Sequence, residues 1–518
     1  MTETPAVAAG PSGTETRAGG GRVVRGFGWP AVVAVAYTIL QLVLVVPGSG
    51  LGWDETVYVS QVARDAEAAF FSAPRARGIT FLIAPVTALT SSVEALHVYL
   101  ALLSGAGLLI ALWVWRRLLP APVLALAGAL FAGLWITVLY GPQVMPNLWV
   151  ALGSLFAVGC FLRAARDRSD RAALAGLCGG VAFVALMRPS DALWLALPLA
   201  AGVLLVGAWR RPLPLLALAA GAALGCAPWA VEAYVGYGGL SARLRRASAI
   251  QGDLGWHLAF DDQVRALDGR LLCRPCDIPW RRPVTAVWWF VLPLLVLCGV
   301  LAAARAKRAA VVLVPTLAGL SMAVPYVLLI GYAAPRFLLP TYALLALPAA
   351  TGLARIGRAA WPRPLAVGAL AALLAAHLAV QYVVLDGAAS RGRTNRVAFG
   401  RVAAELARQG VRPPCVVSGA EAVRLAYLAG CASRQTGGHD GSITPAGLVA
   451  LARDRPVAVV VAGEGAPPAY TKGWRVLRLP DLPGQKDWHA WLSPAARARP
   501  HAGESNGWKN KSRTEKRN

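Results

Sequence analysis

Apolar runs without charge recur along most of the chain, separated by short polar turns. They fall at about 29–47, 95–115, 122–140, 146–162, 172–187, 191–209, 213–233, 284–304, 309–330, 337–354 and 364–385. A helix needs about 20 apolar residues to cross a hydrocarbon core of about 30 Å, so this pattern predicts eleven membrane spans. One further run, 79–90 (ITFLIAPVTALT), is too short to cross and suits a re-entrant or interfacial segment.

The turns carry the topology. Basic clusters at Arg22/Arg25, Arg116/Arg117, Arg163/Arg166/Arg168/Arg171, Arg210/Arg211, Arg305/Lys307/Arg308 and Arg355/Arg358/Arg363 mark alternate helix ends. With eleven spans they all land on one side, which the positive-inside rule assigns to the cytoplasm. The opposite side then receives the loop 48–94, the loop 234–283 and everything after about residue 386. The first 26 residues read as a disordered cytoplasmic tail rather than a cleavable signal, because the apolar run behind them is too long for a signal core.

Beyond residue 386 the pattern changes. Residues 396–409 show helical spacing, whereas CVVSG at 415–419 and VAVVVAG at 457–463 are short β-branched runs ending in glycine. Alternating helix and strand predicts a small extracytoplasmic α/β domain over 386–493, followed by a disordered basic tail over 494–518. The expected fold is thus a polytopic α-helical membrane protein, its membrane domain covering 27–385, with this α/β domain attached.

Composition agrees. The chain has 518 residues, 57% hydrophobic and 15% charged, too few polar residues to cover a soluble protein of this length. Its formal net charge of +25 does not point to nucleic acid, since the arginines lie mostly in the short turns that set topology. Arginine-rich, lysine-poor, alanine-rich usage looks like that of a GC-rich bacterial genome, so the expected location is a bacterial plasma membrane. Four cysteines, Cys160, Cys178, Cys226 and Cys298, sit in apolar helices as small packing residues. The others, Cys273, Cys276, Cys415 and Cys431, lie on the predicted outer side, where 273–276 and 415–431 disulfides are favoured over a zinc site.

Against the basic background, two acids stand out where the first apolar run leaves the membrane. The chain there reads Trp53-Asp54-Glu55-Thr56-Val57-Tyr58. A carboxylate at a membrane edge is costly to hold and is a functional candidate. It can serve as a general base toward an acceptor hydroxyl, or it can cap the helix-like segment that follows. Three outer-side arginine sites run against the positive-inside trend: Arg75 and Arg77 in PRARG, Arg188 in RPSD, and Arg336 in PRFLLP. Each either holds an anionic ligand such as a lipid phosphate, which suits the guanidinium fork, or snorkels to headgroups. His97 and His377 read as packed side chains, and the loop around His257 (GDLGWHLAFDDQ) as a solvated connection or an acceptor contact. No P-loop and no Gly-x-Ser-x-Gly elbow occurs.

An acidic Asp-Glu-x-x-Tyr loop after the first span, an Arg-Gly-x-x-x-Leu-x-x-Pro stretch at 77–85, Arg188-Pro189 and Arg336-Phe337-Leu338-Leu339-Pro340 together resemble the C-type glycosyltransferases. These polytopic enzymes use polyprenyl-phosphate sugars; protein O-mannosyltransferases and lipid A aminoarabinose transferases are among them. The resemblance spans roughly 29–385 and implies an inverting, mannosyltransferase-like enzyme on the extracytoplasmic side. It implies Asp54 as catalytic base with Glu55 beside it, and Arg336 as donor-phosphate ligand assisted by Arg188, Arg75 or Arg77. The implied partners are a polyprenyl-phosphate-linked sugar donor, a glycan, lipid or protein acceptor, and the bilayer. Relatives often carry a further acid in an outer turn; here that turn, Tyr140–Asn147, has none, so a metal-independent reaction without cofactor is expected. A transporter or lipid-linked-glycan flippase would need charges lining an intramembrane path, and a scaffold would need only the tail.

Overall fold

The computed structural model describes residues 28–497 except Ile278 and 360–362. The predicted tails 1–26 and, from residue 498, 494–518 lie outside the described residues. Every apolar run picked out above carries helix, and among the described residues seven helical segments are long and apolar enough to cross a membrane. The predicted runs 29–47, 122–140, 172–187 and 191–209 fall on shorter apolar helices of 17 residues or fewer. The run 122–140 is broken at Gly133-Leu134 into α5 (Ala121–Ala132) and α6 (Trp135–Tyr140). The others are α1 (Gly28–Leu44), α8 (Arg171–Met187) and α9 (Pro189–Leu205).

The long helices are α4 (Val93–Val114), α7 (Pro146–Arg166), α10 (Pro212–Gly236), α13 (Val287–Arg305), α14 (Ala309–Val324, prolonged by a wider turn through Leu329), α15 (Leu339–Ala359) and α16 (Arg363–Arg408). Helices α7 and α15 are the most enclosed of the seven spans, whereas α13 and α16 turn most of their surface outward. An outward apolar surface is what a bilayer requires, since lipid replaces the protein core as the apolar phase. Contact between α13 and α15 depends on missing side chains. A Cβ on Gly299 would lie 2.0 Å from the Pro348 carbonyl oxygen, so only glycine permits this approach.

The loop after α1 holds two short helices, α2 (Trp53–Ser60) and α3 (Gly78–Thr87). The second is the short run expected to be re-entrant or interfacial. The loop after α10 holds α11 (Leu240–Ile250) and α12 (Phe260–Ala266), then the Cys273–Cys276 disulfide.

Residues 396–409, expected as a separate helix, are instead the end of α16, which runs unbroken for 46 residues. Its one proline, Pro364, sits in the first turn where it does not interrupt the helix, and its glycines do not suffice to stop it. Its last turns place Ala398, Phe399, Val402 and Leu406 in the core of the α/β unit, which also contains α17 (Ala422–Ala429) and α18 (Pro445–Asp454). Five strands, β1 (Val416–Gly419), β2 (Ala432–Ser433), β3 (Val457–Val461), β4 (Arg475–Arg478) and β5 (His489–Leu492), form a mixed sheet in the order β2-β1-β3-β5-β4. The β2-β1-β3 part is parallel and β5 and β4 are antiparallel. Cys415 and Cys431 are joined at the starts of β1 and β2. This unit rests on the loop that carries α2: Val423 packs with Val57 and Ala69, and Arg434 pairs with Glu67 at 3.1 Å.

Candidate active site

Asp54 occupies the first turn of α2, next to the Gly52 N-cap. Negative charge is favoured there by the orphaned amides and the helix dipole, but the neighbouring cations dominate. Asp54 Oδ1 accepts from Arg75 Nη2 at 2.6 Å and Oδ2 from Arg336 Nη2 at 3.0 Å. The carboxylate therefore bridges two guanidiniums delivered from segments far apart in the chain. Burial pushes the Asp54 carboxyl up, but the Coulombic pull of Arg75, then Arg336, and the Arg75 hydrogen bond hold it below its ordinary value. Its side chain remains 31% exposed, so the pair opens toward solvent.

Each arginine is braced. Arg75 donates Nε to Ser72 Oγ at 3.1 Å, and its guanidinium lies over the rings of Trp53 and Tyr58. Arg336 donates Nη1 to the Leu271 carbonyl at 3.1 Å and stands 3.4 Å from Tyr140 Oη. Its buried Nε has no acceptor among the described residues. Arg188 pairs with Asp191 at 3.3 Å, and Asp191 also accepts from the Tyr326 hydroxyl. The guanidiniums of Arg188 and Arg336 both lie over Phe337, each 5.4 Å from its centroid. Three arginines thus converge around one carboxylate and one ring, and with Asp54 and Asp191 ionised these five groups keep one positive charge in excess. An anion has a place here that needs no further cation.

Helix packing explains the approach of Arg188. Gly78 begins α3 where a Cβ would lie 2.6 Å from the Leu186 carbonyl oxygen, so glycine lets α3 seat against the end of α8 just before Arg188.

Arg77 is placed differently. Its Nε donates to Glu232 Oε1 at 2.5 Å and its guanidinium stacks on Phe71, away from Asp54. Glu232 is shared with Arg243, which is fully buried and which the sequence did not single out. Arg243 donates to the carbonyls of Ala73, Trp229 and Arg75 at 3.1, 2.7 and 2.9 Å. Holding the backbone of residues 73 and 75 fixes where the Arg75 side chain starts. The only advance sign was an arginine-rich run, SARLRRAS, in an outer loop, which reads equally as a solvated face.

Glu55 does not share the position of Asp54. It is buried, and its carboxylate accepts from Gly52 N and from Val144 N, both at 2.8 Å, with His97 Nε2 at 3.6 Å. Adjacent residues on a helix point about 100° apart, and here that rotation turns Glu55 inward. It ties the outer turn 140–146 to the start of α2, and that turn presents Tyr140 to Arg336.

A second carboxylate near the site comes from the α/β unit. The loop between β2 and α18, closed by pairing of Gln435 with Gly441, carries Asp440. Burial pushes the Asp440 carboxyl up, Arg75 and His439 oppose this, and Asp54 adds to it, placing Asp440 within the field of the clamp. Nothing in its surroundings in the chain (TGGHDGS) distinguished it from a surface turn. Among the described residues no three His, Cys, Asp or Glu side chains converge as metal ligands.

No protein-family profile matches the chain, and no curated protein sequence matches it. Solved structures do. ArnT from Cupriavidus metallidurans bound to undecaprenyl phosphate superposes with a TM-score of 0.67 at 12% identity, covering 91% of this chain and 99% of that one. The same protein in its apo state gives 0.63 with the same identity and coverage. The Archaeoglobus fulgidus oligosaccharyltransferase, tethered to an acceptor peptide, gives 0.54 at 12% identity, covering 84% of this chain and 69% of that one. The chain therefore has the fold of the C-type glycosyltransferases.

Proposed function

We propose that the protein is an inverting glycosyltransferase that moves a sugar from a polyprenyl-phosphate donor to an acceptor hydroxyl on the extracytoplasmic side. The observation that carries this reading is the Asp54 carboxylate held between Arg75 and Arg336 with Arg188 close by. The similarity in fold to ArnT bound to undecaprenyl phosphate supports the donor class.

In the reaction, Arg336, Arg75 and Arg188 receive the donor phosphate. The acceptor oxygen attacks the anomeric carbon from the face opposite the phosphate, its proton passes to Asp54, and the carbon–oxygen bond to the phosphate breaks. Polyprenyl phosphate leaves and the anomeric centre inverts. The protein's task is mainly to align the pair and stabilise charge on the leaving phosphate.

The clamp gives this sequence an order. In the free protein, the two arginines suppress the basicity of Asp54. A phosphate competing for the same guanidiniums releases the carboxylate and adds negative charge beside it, and both effects raise its basicity. The base is thus switched on by the donor. An apolar cavity of about 510 Å³ between α13, α15 and α16 begins within two turns of Arg336 at Tyr342 and continues past Ala346 to Leu353, and we propose that it takes the prenyl chain.

The test is transfer of label from a panel of polyprenyl-phosphate sugars to cell-envelope acceptors by purified protein, with Arg336→Lys alongside. Lysine keeps the charge but loses the fork. Wild-type transfer with weakened donor binding in the variant is the expected result. No transfer from any donor, with vectorial movement of the lipid instead, would replace the reading with that of a flippase.

A further inference from the structure

The far end of α15 carries a second basic site. Helix α15 is 21 residues long, about 30 Å at 1.5 Å per residue. Arg336 lies just before its first turn, whereas Arg358 lies in its last turn and Arg355 in the turn before it. The second site therefore opens at the opposite membrane face from Asp54.

There, a cavity of about 390 Å³ is bounded by Arg305 at the end of α13, Arg308 just before α14, and Arg355 and Arg358. Its floor is apolar, with Leu119, Val123 and Val312 contributing. This size lies within the range of small-ligand pockets. The first turn of α14 faces the cavity, has no acidic residue, and has no side-chain cap, so its dipole adds to the positive field.

Positive charge at inner helix ends is expected from topology alone. What separates this cluster from Arg117/Arg163 and from Arg210/Arg211 is how the charge is used. Arg117 and Arg163 share the carboxylate of Asp170, at 3.6 and 2.7 Å. Arg210 and Arg211 donate to the carbonyls of Leu204 and Ala164. Among the described residues, none of the four cavity arginines has a carboxylate partner. Four uncompensated guanidiniums around an apolar-floored cavity between membrane helices form a receptor for a phosphate with acyl chains beneath it.

We infer that this cavity binds the headgroup of an anionic phospholipid from the leaflet opposite the proposed active site. The occupant is a phosphatidylglycerol- or cardiolipin-type lipid, whose phosphate sits among the arginines and whose chains lie against the floor. The site is independent of the transfer reaction.

The experiment uses full-length delipidated protein and two paired variants, Arg305→Gln/Arg308→Gln and Arg355→Gln/Arg358→Gln. Each pair leaves the other loop basic, so topology is retained. Native mass spectrometry follows binding of phosphatidylglycerol, cardiolipin and phosphatidylcholine. Wild type should retain the anionic lipids over phosphatidylcholine, and each pair should weaken this by roughly tenfold or more. Arg210→Gln/Arg211→Gln and Arg336→Gln should keep the adduct, showing that it sits neither at another basic turn nor at the donor site. In parallel, phosphatidylglycerol nanodiscs should raise the melting temperature of wild type and not of the pairs, whose melting in phosphatidylcholine is the folding control. A pair that melts early in phosphatidylcholine is replaced by its lysine counterpart, which should show a smaller loss in the same direction. Unchanged anionic-lipid retention in both folded pairs, or equal retention of phosphatidylcholine by wild type, would overturn the inference.

Discussion

Arg336 Nη2 stands 3.0 Å from Asp54 Oδ2, although 282 residues separate the two in the chain. Nothing local brings them together: Asp54 hangs from the loop after α1 and Arg336 from the turn before α15. Their meeting fixes the distance between the proposed base and the proposed phosphate ligand, and it makes the two roles compete for one ion pair.

Asp54→Asn separates those roles. The amide keeps size and hydrogen bonding but cannot take the acceptor proton, so turnover should fall by roughly 10² to 10⁴. Donor binding should hold or tighten, because two guanidiniums lose their internal competitor. Single-turnover transfer and donor titration report the two effects separately; loss of donor affinity with unchanged turnover would reverse the assignment.

The pH dependence follows from the direction of the Asp54 shift. Its folded value lies below the usual aspartate figure of about 3.9. The stabilisation from the clamp is therefore fully present above about pH 3.9 and is lost as pH falls through the lowered value. In kcat/KM for the free enzyme, no acid limb should appear near 6.5. The limb in kcat should lie higher than that in kcat/KM, because bound donor takes the arginines from Asp54. A kcat/KM limb near about 6.5 would point to a histidine base instead.

Glu55→Gln should act on stability more than on chemistry. The amide can keep only one of the two backbone contacts through an oxygen acceptor, and its NH₂ would face a donor. A loss of about 1–3 kcal/mol is expected, visible as a lower melting temperature with donor affinity retained once folded. An unchanged melting temperature with abolished transfer would move the proton-accepting role to Glu55.

Arg243 should tune the reaction without touching it. Arg243→Lys can reach at most some of the Ala73, Trp229 and Arg75 carbonyls, loosening the loop that carries Arg75. Donor KM should rise more than kcat falls, and the kcat/KM acid limb should move upward as Asp54 loses part of its clamp. A variant that loses expression in proportion to activity, with the limb unmoved, would make Arg243 a folding residue only.

Much of this was legible in the chain because topology makes charge informative. Arg75, Arg188 and Arg336 stood out by lying on the predicted outer side, where arginine is not needed for orientation, and the fold gathers those three around Asp54. Arg77 shared the anomaly but has a different cause, a carboxylate partner in α10 whose position only packing determines. Glu55 was inseparable from Asp54 by pattern, since adjacency says nothing about which residue faces inward. Arg243 and Asp440 were hidden for a related reason: a polar loop reads as solvated until another element closes over it. Three apolar runs, 29–47, 122–140 and 191–209, extend past their helices, because apolar composition continues through the turn at Gly133-Leu134 and beyond Leu44 and Leu205.

The unbroken α16 has a mechanical meaning. A helix of 46 residues, about 69 Å long, runs from the membrane into the core of the α/β unit as a single shaft. Each residue added to a helix turns everything beyond it by about 100° and lifts it by about 1.5 Å. The angular phase of that shaft therefore sets whether α17 meets α2 and whether the loop bearing Asp440 hangs over the clamp or swings clear. One residue inserted near Gly392 would rotate the canopy off its seat while leaving both cores intact. Seven inserted residues would nearly restore its heading but raise it by about 10 Å, making shaft length a ruler for the gap above the proposed base Asp54.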